Sequence, residues 1–233
     1  MRYHAAYDWL VSYEVIFAGH ALYLAILVVI LKGLSQPIEQ IKGAMMVYNA
    51  TQVIISILTA AGLSSCVLNG LFNLNGKHTA RIEFWIFVHY LTKYLDMFDS
   101  FFMAIRKKGD QLSFLHLYHH TTIGVIWGVL LHNNVANGTA FFGAWINSVV
   151  HALMYFHYLW TSFGLHNPLK QYLTMVQMFQ FCLCIIHAVL VVLYDKTISL
   201  DWALLQVGYH MTLLYLFANF FRSMKTARKP KAE

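Results

Sequence analysis

The sequence predicts an all-α membrane protein, a bundle of seven transmembrane helices, and two observations predict it. Hydrophobic residues make up 59% of the 233 residues and charged residues only 11%, with a mean hydropathy of +0.55. A water-soluble domain carries roughly 25% charged residues, because its surface must face water. The apolar residues also gather in seven windows, each close to the roughly 20 residues needed to cross a hydrocarbon core about 30 Å thick. Runs of that length select helices over strands. Three prolines, 13 glycines and few charges exclude a disordered or collagen-like chain. The net charge of +6 is spread along the chain and does not suggest nucleic acid.

The windows are 15–31, 44–66, 84–105, 114–131, 139–160, 169–194 and 202–221, followed by a basic tail, 222–233. The first runs into Lys32-Gly33-Leu34 with no small-residue cleavage site, so it reads as a retained helix and not a signal peptide. Connections are short and no repeat or linker is visible. Residues 1–233 are therefore expected to form a single integral membrane domain.

Orientation follows from the basic residues. One set of helix ends holds Lys32, Lys42, Arg106, Lys107, Lys108, Lys170, Arg222, Lys225, Arg228, Lys229 and Lys231. The other holds Arg2, Lys77, Arg81 and Lys196. The first set should be cytosolic, as should the C-terminal tail. Lys229 and Lys231 either form an ordinary solvated basic tail or, as they resemble, the dilysine retrieval signal of endoplasmic reticulum membrane proteins; the second reading makes the chain a multi-pass protein of that membrane. Asn137-Gly138-Thr139 is a glycosylation sequon at the opposite end. Cys66, Cys182 and Cys184 fall in helices and read as buried, inert thiols.

Ionisable groups within a membrane helix are expensive and usually face the interior. The third window carries Lys93, Asp96, Asp99 and Ser100, the first three in steps of three along one side. Such a set either locks a bundle as an ion network or takes part in a site. The fourth window opens with His116-Leu117-Tyr118-His119-His120, where His116 shares a face with His119 or His120. Two chemistries suit that spacing: metal ligation by neutral imidazoles, and nucleophilic or acid–base catalysis by imidazole itself. The fifth carries a stripe of Asn147, His151, Tyr155 and Tyr158, with His157 turned about 100° away. The sixth carries Thr174, Gln177 and Gln180, whose amides either tie neighbouring helices or serve a site. His187 and His210 are single and read as satisfied core residues. With the alternating orientation, all four sets fall at one depth, in the cytosolic half. The sequence therefore predicts one enclosed polar chamber, open to the cytosol.

These residues resemble the ELO family, the elongases of very-long-chain fatty acids that act as membrane 3-ketoacyl-CoA synthases. The family's HxxHH is His116-Leu-Tyr-His119-His120, and its TxxQxxQ is Thr174-Met-Val-Gln177-Met-Phe-Gln180. Its HxxMYxYY is His151-Ala-Leu-Met154-Tyr155-Phe-His157-Tyr158, with His157 in place of one tyrosine. Its KxxExxDT is Lys93-Tyr-Leu-Asp96-Met-Phe-Asp99-Ser100, with glutamate shortened to Asp96 and threonine to Ser100. Gln111, five residues before His116, resembles the subgroup that elongates polyunsaturated acids.

The resemblance implies a Claisen condensation of a long-chain acyl-CoA with malonyl-CoA, giving 3-ketoacyl-CoA, CO2 and CoA. Malonyl-CoA would be a co-substrate, and neither a metal nor another cofactor is implied. No cysteine lies in the chamber, whereas neutral imidazole can attack a thioester. His119 is the expected nucleophile, with His116 and His120 orienting it or moving protons. His151, beside Asn147, would meet the charge that develops as malonyl-CoA loses CO2. Lys93, Asp96 and Asp99 would set the charge balance. Tyr155, Tyr158, Thr174, Gln177 and Gln180 would bind substrate, the amides taking a carbonyl or the pantetheine arm. Arg106, Lys107, Lys108 and Lys170 on the rim would take the phosphates of CoA, and the bundle would enclose an acyl tunnel. Membrane lipid and the other enzymes of the elongation cycle are implied as partners, and a homodimer is among the assemblies allowed. Two other classes share some of these features. A membrane di-iron desaturase or hydroxylase uses histidine clusters, but needs several boxes, and His132, His166, His187 and His210 lack that spacing. A seven-helix transporter or receptor would use the charged cluster as a ligand or proton path.

Overall fold

Serine and threonine set where three of the helices begin. The Thr79 hydroxyl accepts the Ile82 N–H at 3.1 Å and starts one helix. Ser113 takes the His116 N–H at 3.3 Å and starts another, placing His116 in its first turn. Ser12 does the same for Val15 at 3.4 Å near the N-terminus. The computed structural model describes residues 5–67, 73–74, 76–168, 170–195 and 198–227, of which 5, 65–67, 170, 171 and 224–227 are described by backbone alone. The helices are α1 (Ala5–Leu10), α2 (Tyr13–Gly33), α3 (Lys42–Val67), α4 (Ala80–Ile105), α5 (Phe114–His132), α6 (Phe141–Ser162), α7 (Lys170–Tyr194) and α8 (Leu200–Ala227). No strand occurs among the described residues.

Each of the seven apolar windows is a helix. The six-residue α1 was not expected, being too short for a hydrophobic period to show. The stretch expected as a basic tail from Arg222 is still helical through Ala227, whereas Lys229 and Lys231 lie outside the described residues. Among the described residues, three helices are long and apolar enough by composition to cross a membrane: Tyr13–Gly33, Lys42–Ser64 and Tyr172–Tyr194. The polar residues read above sit mainly on α4, α5 and α6, which dilutes the apolar character of those helices.

Helix contacts close a ring in the order α3, α4, α5, α8, α7, α6 and back to α3, with α2 packed outside against α4 and α5. α4 also touches α6 across the ring. α2 docks on two glycines of α5: Ile16 lies over Gly128 and His20 over Gly124, each closer than a β-carbon there would permit. The α5–α8 seam is joined by hydroxyls, Tyr118 to Thr212 at 3.2 Å and Thr122 to Tyr209 at 3.0 Å. Ile16, Leu63, Ile86, Tyr90 and Phe141 are buried in the main apolar cluster. Large apolar side chains such as Leu22, Val29, Val47, Phe179 and Leu193 point outward, as expected where lipid is the solvent. Cys184 is buried and Cys182 half-buried, both free, while the Cys66 side chain lies outside the described residues.

Candidate active site

Lys93 and Asp96 on α4 are each only 2% exposed, so both charges need partners inside the bundle. Lys93 Nζ donates to Asp96 Oδ2 and to Asn147 Oδ1 on α6, both at 3.0 Å. His151 Nδ1 lies 3.6 Å from the same Asp96 oxygen. Asp96 Oδ1 accepts from Gln52 Nε2 on α3 at 2.7 Å, with the Tyr155 hydroxyl at 3.1 Å. Tyr155 OH donates to Asp99 Oδ2 at 2.6 Å and lies 3.2 Å from Tyr48 OH on α3. The Gln52 amide also donates to Tyr48 OH at 3.1 Å.

One turn deeper on α4, His89 Nδ1 is 3.2 Å from Ser148 Oγ on α6. Along α4, His89 and Lys93 therefore meet the adjacent Ser148 and Asn147 of α6, and Asp96 and Asp99 meet His151 and Tyr155 further along it. The two helices run parallel with a polar seam between them. This registration follows from the helical spacing of both stripes, and it joins α3, α4 and α6 into one hydrogen-bonded network.

The histidine helix reaches the network from the other side of α4. Ser100 Oγ, fully buried, lies 2.8 Å from His116 Nε2 and 2.7 Å from Tyr23 OH on α2. The His116 and His120 rings stack at 4.0 Å between centroids, and the His119 and His120 rings meet edge-on at 5.6 Å. His119 lies within electrostatic range of His151, Lys93, Asp96 and His116. Nδ1 of His119 and Nδ1 of His120 are buried and accept or donate no hydrogen bond among the described residues. Stacked rings do not converge on one point, and no group of histidine, cysteine or carboxylate side chains among the described residues is arranged to hold a metal ion.

The remaining expected residues are dispersed. Tyr158 packs edge-on against Tyr155 at 5.9 Å and is partly exposed. Arg106 follows the last turn of α4 and pairs with Glu39 at 3.5 Å. Lys107 and Lys108 are exposed beside it, and the Lys170 side chain lies outside the described residues. Thr174 and Gln180 on α7 are buried, and the Gln177 amide donates to Met154 Sδ on α6 at 3.6 Å. Among the described residues no hydrogen bond joins α7 to the carboxylates. His157 is buried and turned from the stripe, and His187 stacks on Phe142 at 4.4 Å.

The sequence reading passed over Tyr23, Tyr48, Gln52, His89 and Ser148. A signal existed for α3, where Asn49, Gln52, Ser56 and Thr59 recur at helical spacing and are all buried.

The family match runs along nearly the whole chain. Residues 9–233 fit the family described as ELO: GNS1/SUR4 family. The chain belongs to the ELO family. It is similar to "Fatty acid elongase 5" of Leishmania major, 55% identical over 232 residues, covering 99% of this chain and 93% of that protein. "Fatty acid elongase 4" of Trypanosoma brucei brucei is 52% identical over 219 residues, with 93% and 86% covered. "Very long chain fatty acid elongase 4" of Homo sapiens is 34% identical over 208 residues, with 83% and 65% covered. This ELO chain is thus an enzyme of fatty acid elongation and a membrane protein.

Proposed function

We propose that the chain is a very-long-chain 3-oxoacyl-CoA synthase that condenses a long-chain acyl-CoA with malonyl-CoA through an acyl-imidazole on His119. The observation that carries this reading is the convergence on α4. Asp96 faces His151, Ser100 faces His116, and His119 lies in range of both Lys93 and His151.

The chemistry balances with these groups. The lone pair of the neutral His119 imidazole attacks the thioester carbonyl, and the carbon–sulfur bond breaks. The departing thiolate takes the imidazole N–H proton and leaves as CoA. Malonyl-CoA loses CO2 and leaves an enolate, whose carbon attacks the acyl group. Imidazole departs, regains a proton from solvent, and 3-ketoacyl-CoA is released. His151 and the Asn147 amide N–H are the donors offered to the enolate oxygen. Lys93, Asp96, Asp99 and Tyr155 hold these donors in place, and Tyr158, Thr174, Gln177 and Gln180 are assigned to substrate binding. Arg106, Lys107 and Lys108 are assigned to CoA phosphates.

This reading takes α2 to α8 as seven spans of one integral domain in the endoplasmic reticulum membrane, with the basic ends cytosolic. The acyl tail would run inside the ring, and Gln111 favours polyunsaturated acyl chains. No metal takes part. The other elongation enzymes, and a second copy of the chain, are the partners it allows.

The test is condensation by the purified full chain in detergent, given C16 to C22 acyl-CoAs and radiolabelled malonyl-CoA. Labelled 3-ketoacyl-CoA is expected from the wild type and none from His119→Ala. Mass spectrometry after acyl-CoA alone should place the acyl group on the peptide containing His119. Wild-type condensation by His119→Ala, or label on Cys182 or Cys184, would overturn the assignment.

A further inference from the structure

The three-member chain Tyr23–Ser100–His116 has a single way of placing its hydrogens that leaves no buried hydroxyl proton without an acceptor. Tyr23 is 2% exposed, and its hydroxyl meets one polar partner among the described residues, Ser100 Oγ at 2.7 Å. Ser100 Oγ meets two, Tyr23 OH and His116 Nε2 at 2.8 Å. A buried hydroxyl proton left without an acceptor costs about 1–3 kcal/mol. The Tyr23 O–H therefore donates to Ser100, and Ser100 donates to His116 Nε2. The neutral ring then carries its proton on Nδ1. That nitrogen has no hydrogen-bond partner among the described residues, so its N–H is unused by the fold.

We infer that Tyr23 and Ser100 are positioning residues that fix the tautomer of His116, so that its Nδ1–H serves as a hydrogen-bond donor to the carbonyl oxygen of the acyl thioester. The inference rests on the function proposed above and deepens it. It gives the outlying helix α2 a part in the chemistry, through a residue outside the four motifs. His116 stacks on His120 and neighbours His119, so a donor there lies beside the expected nucleophile. A donor already oriented toward the developing oxyanion needs no rearrangement during the reaction. Without Tyr23, Ser100 is free to turn its proton away and accept from His116 instead. The other tautomer then competes, and part of the enzyme presents a lone pair where a donor is needed.

The experiment measures kcat and KM for condensation, together with CoA released by acyl-CoA alone, in the full chain. Tyr23→Phe keeps the ring that packs against Phe101 and loses only the hydroxyl. It should lower kcat and the CoA-release rate about tenfold with KM little changed, less than the 10²–10³ expected for deleting a donor outright. Ser100→Ala should lose more, and Ser100→Thr, which retains a hydroxyl, should recover most of that loss. The double variant Tyr23→Phe/Ser100→Ala should be no slower than Ser100→Ala, because the two act in series. Wild-type CoA release by Tyr23→Phe, or losses that multiply in the double variant, would overturn the inference alone. A wild-type chain that condenses nothing sinks the proposed function, and this inference with it.

Discussion

Gln52 on α3 donates its side-chain amide to Asp96 on α4 at 2.7 Å, and neither residue is more than 2% exposed. The amide fills one side of a carboxylate whose other oxygen is taken by Lys93. Its carbonyl oxygen, Oε1, accepts nothing among the described residues, so the amide is held from its donor end. Gln52→Leu should leave Asp96 Oδ1 with the Tyr155 hydroxyl alone and lower stability by about 1–3 kcal/mol. Gln52→Glu should cost more, since it places a second carboxylate against the first. Thermal melting of the detergent-solubilised chain checks both. A Gln52→Glu variant as stable as the wild type would contradict the geometry.

The Lys93–Asp96 pair makes a second, sharper prediction. Breaking a buried ion pair from one side strands a charge and costs about 3–5 kcal/mol, whereas replacing both partners costs much less. Lys93→Met alone should therefore melt far below the wild type, and Lys93→Met/Asp96→Asn should regain much of the loss. The double variant should still lack condensation activity, because His151 and Asn147 lose the groups that hold them. Additive destabilisation in the double variant would show that the two side chains act independently.

The helices and the burial of Lys93 and Asp96 were legible in the sequence for one physical reason. Lipid leaves no other solvent for Lys93, Asp96 or His116 than the interior, so residue type and helical phase fix where they point. Partners across helices were not legible. The threefold spacing of Thr174, Gln177 and Gln180 says that they share a face, but not which helix that face meets. Gln177 meets Met154 and not a carboxylate. Tyr23 escaped because a single neutral polar residue in an apolar helix has too many ordinary explanations, and Gln52 because the buried stripe of α3 to which it belongs carries no charge.

The sequon Asn137-Gly138-Thr139 is built into a joint between loops. Asn137 Oδ1 accepts the Thr79 N–H at 3.3 Å, at the residue that caps α4, and Thr139 is buried. Gly138 has φ 111° and lies against the Gly76 carbonyl and the His78 ring, so this strand of chain cannot lift away freely. The chain expressed in a eukaryotic membrane should show no mobility shift on endoglycosidase treatment. Asn137→Ala should lower the melting temperature, and Asn137→Asp, which keeps the acceptor, should lower it less. A glycan at Asn137 would mean that this joint is absent when the chain is processed.

Gly62 on α3 tests the packing that sets α3 against α4. The Trp85 indole of α4 lies against Gly62, in the space a β-carbon would occupy. The carbonyl of Gly62 also accepts from Arg81 Nε at 3.2 Å. Trp85 is a rigid ring held edge-on by Phe84 at 5.1 Å, so it cannot bend aside as a flexible chain would. Gly62→Ala must push α3 and α4 apart near this end or drive the indole from its site. Overpacking of this kind costs about 1–3 kcal/mol. The same displacement would be carried along α3 toward Gln52 and Tyr48, which hold Asp96 and Tyr155. Gly62→Ala should therefore lower both the melting temperature and kcat, although Gly62 is not on the histidine helix α5. Gly62→Ala combined with Trp85→Leu, which removes the obstructing ring, should melt above Gly62→Ala alone. If Gly62→Ala melts with the wild type, the close approach of these two helices is wrong.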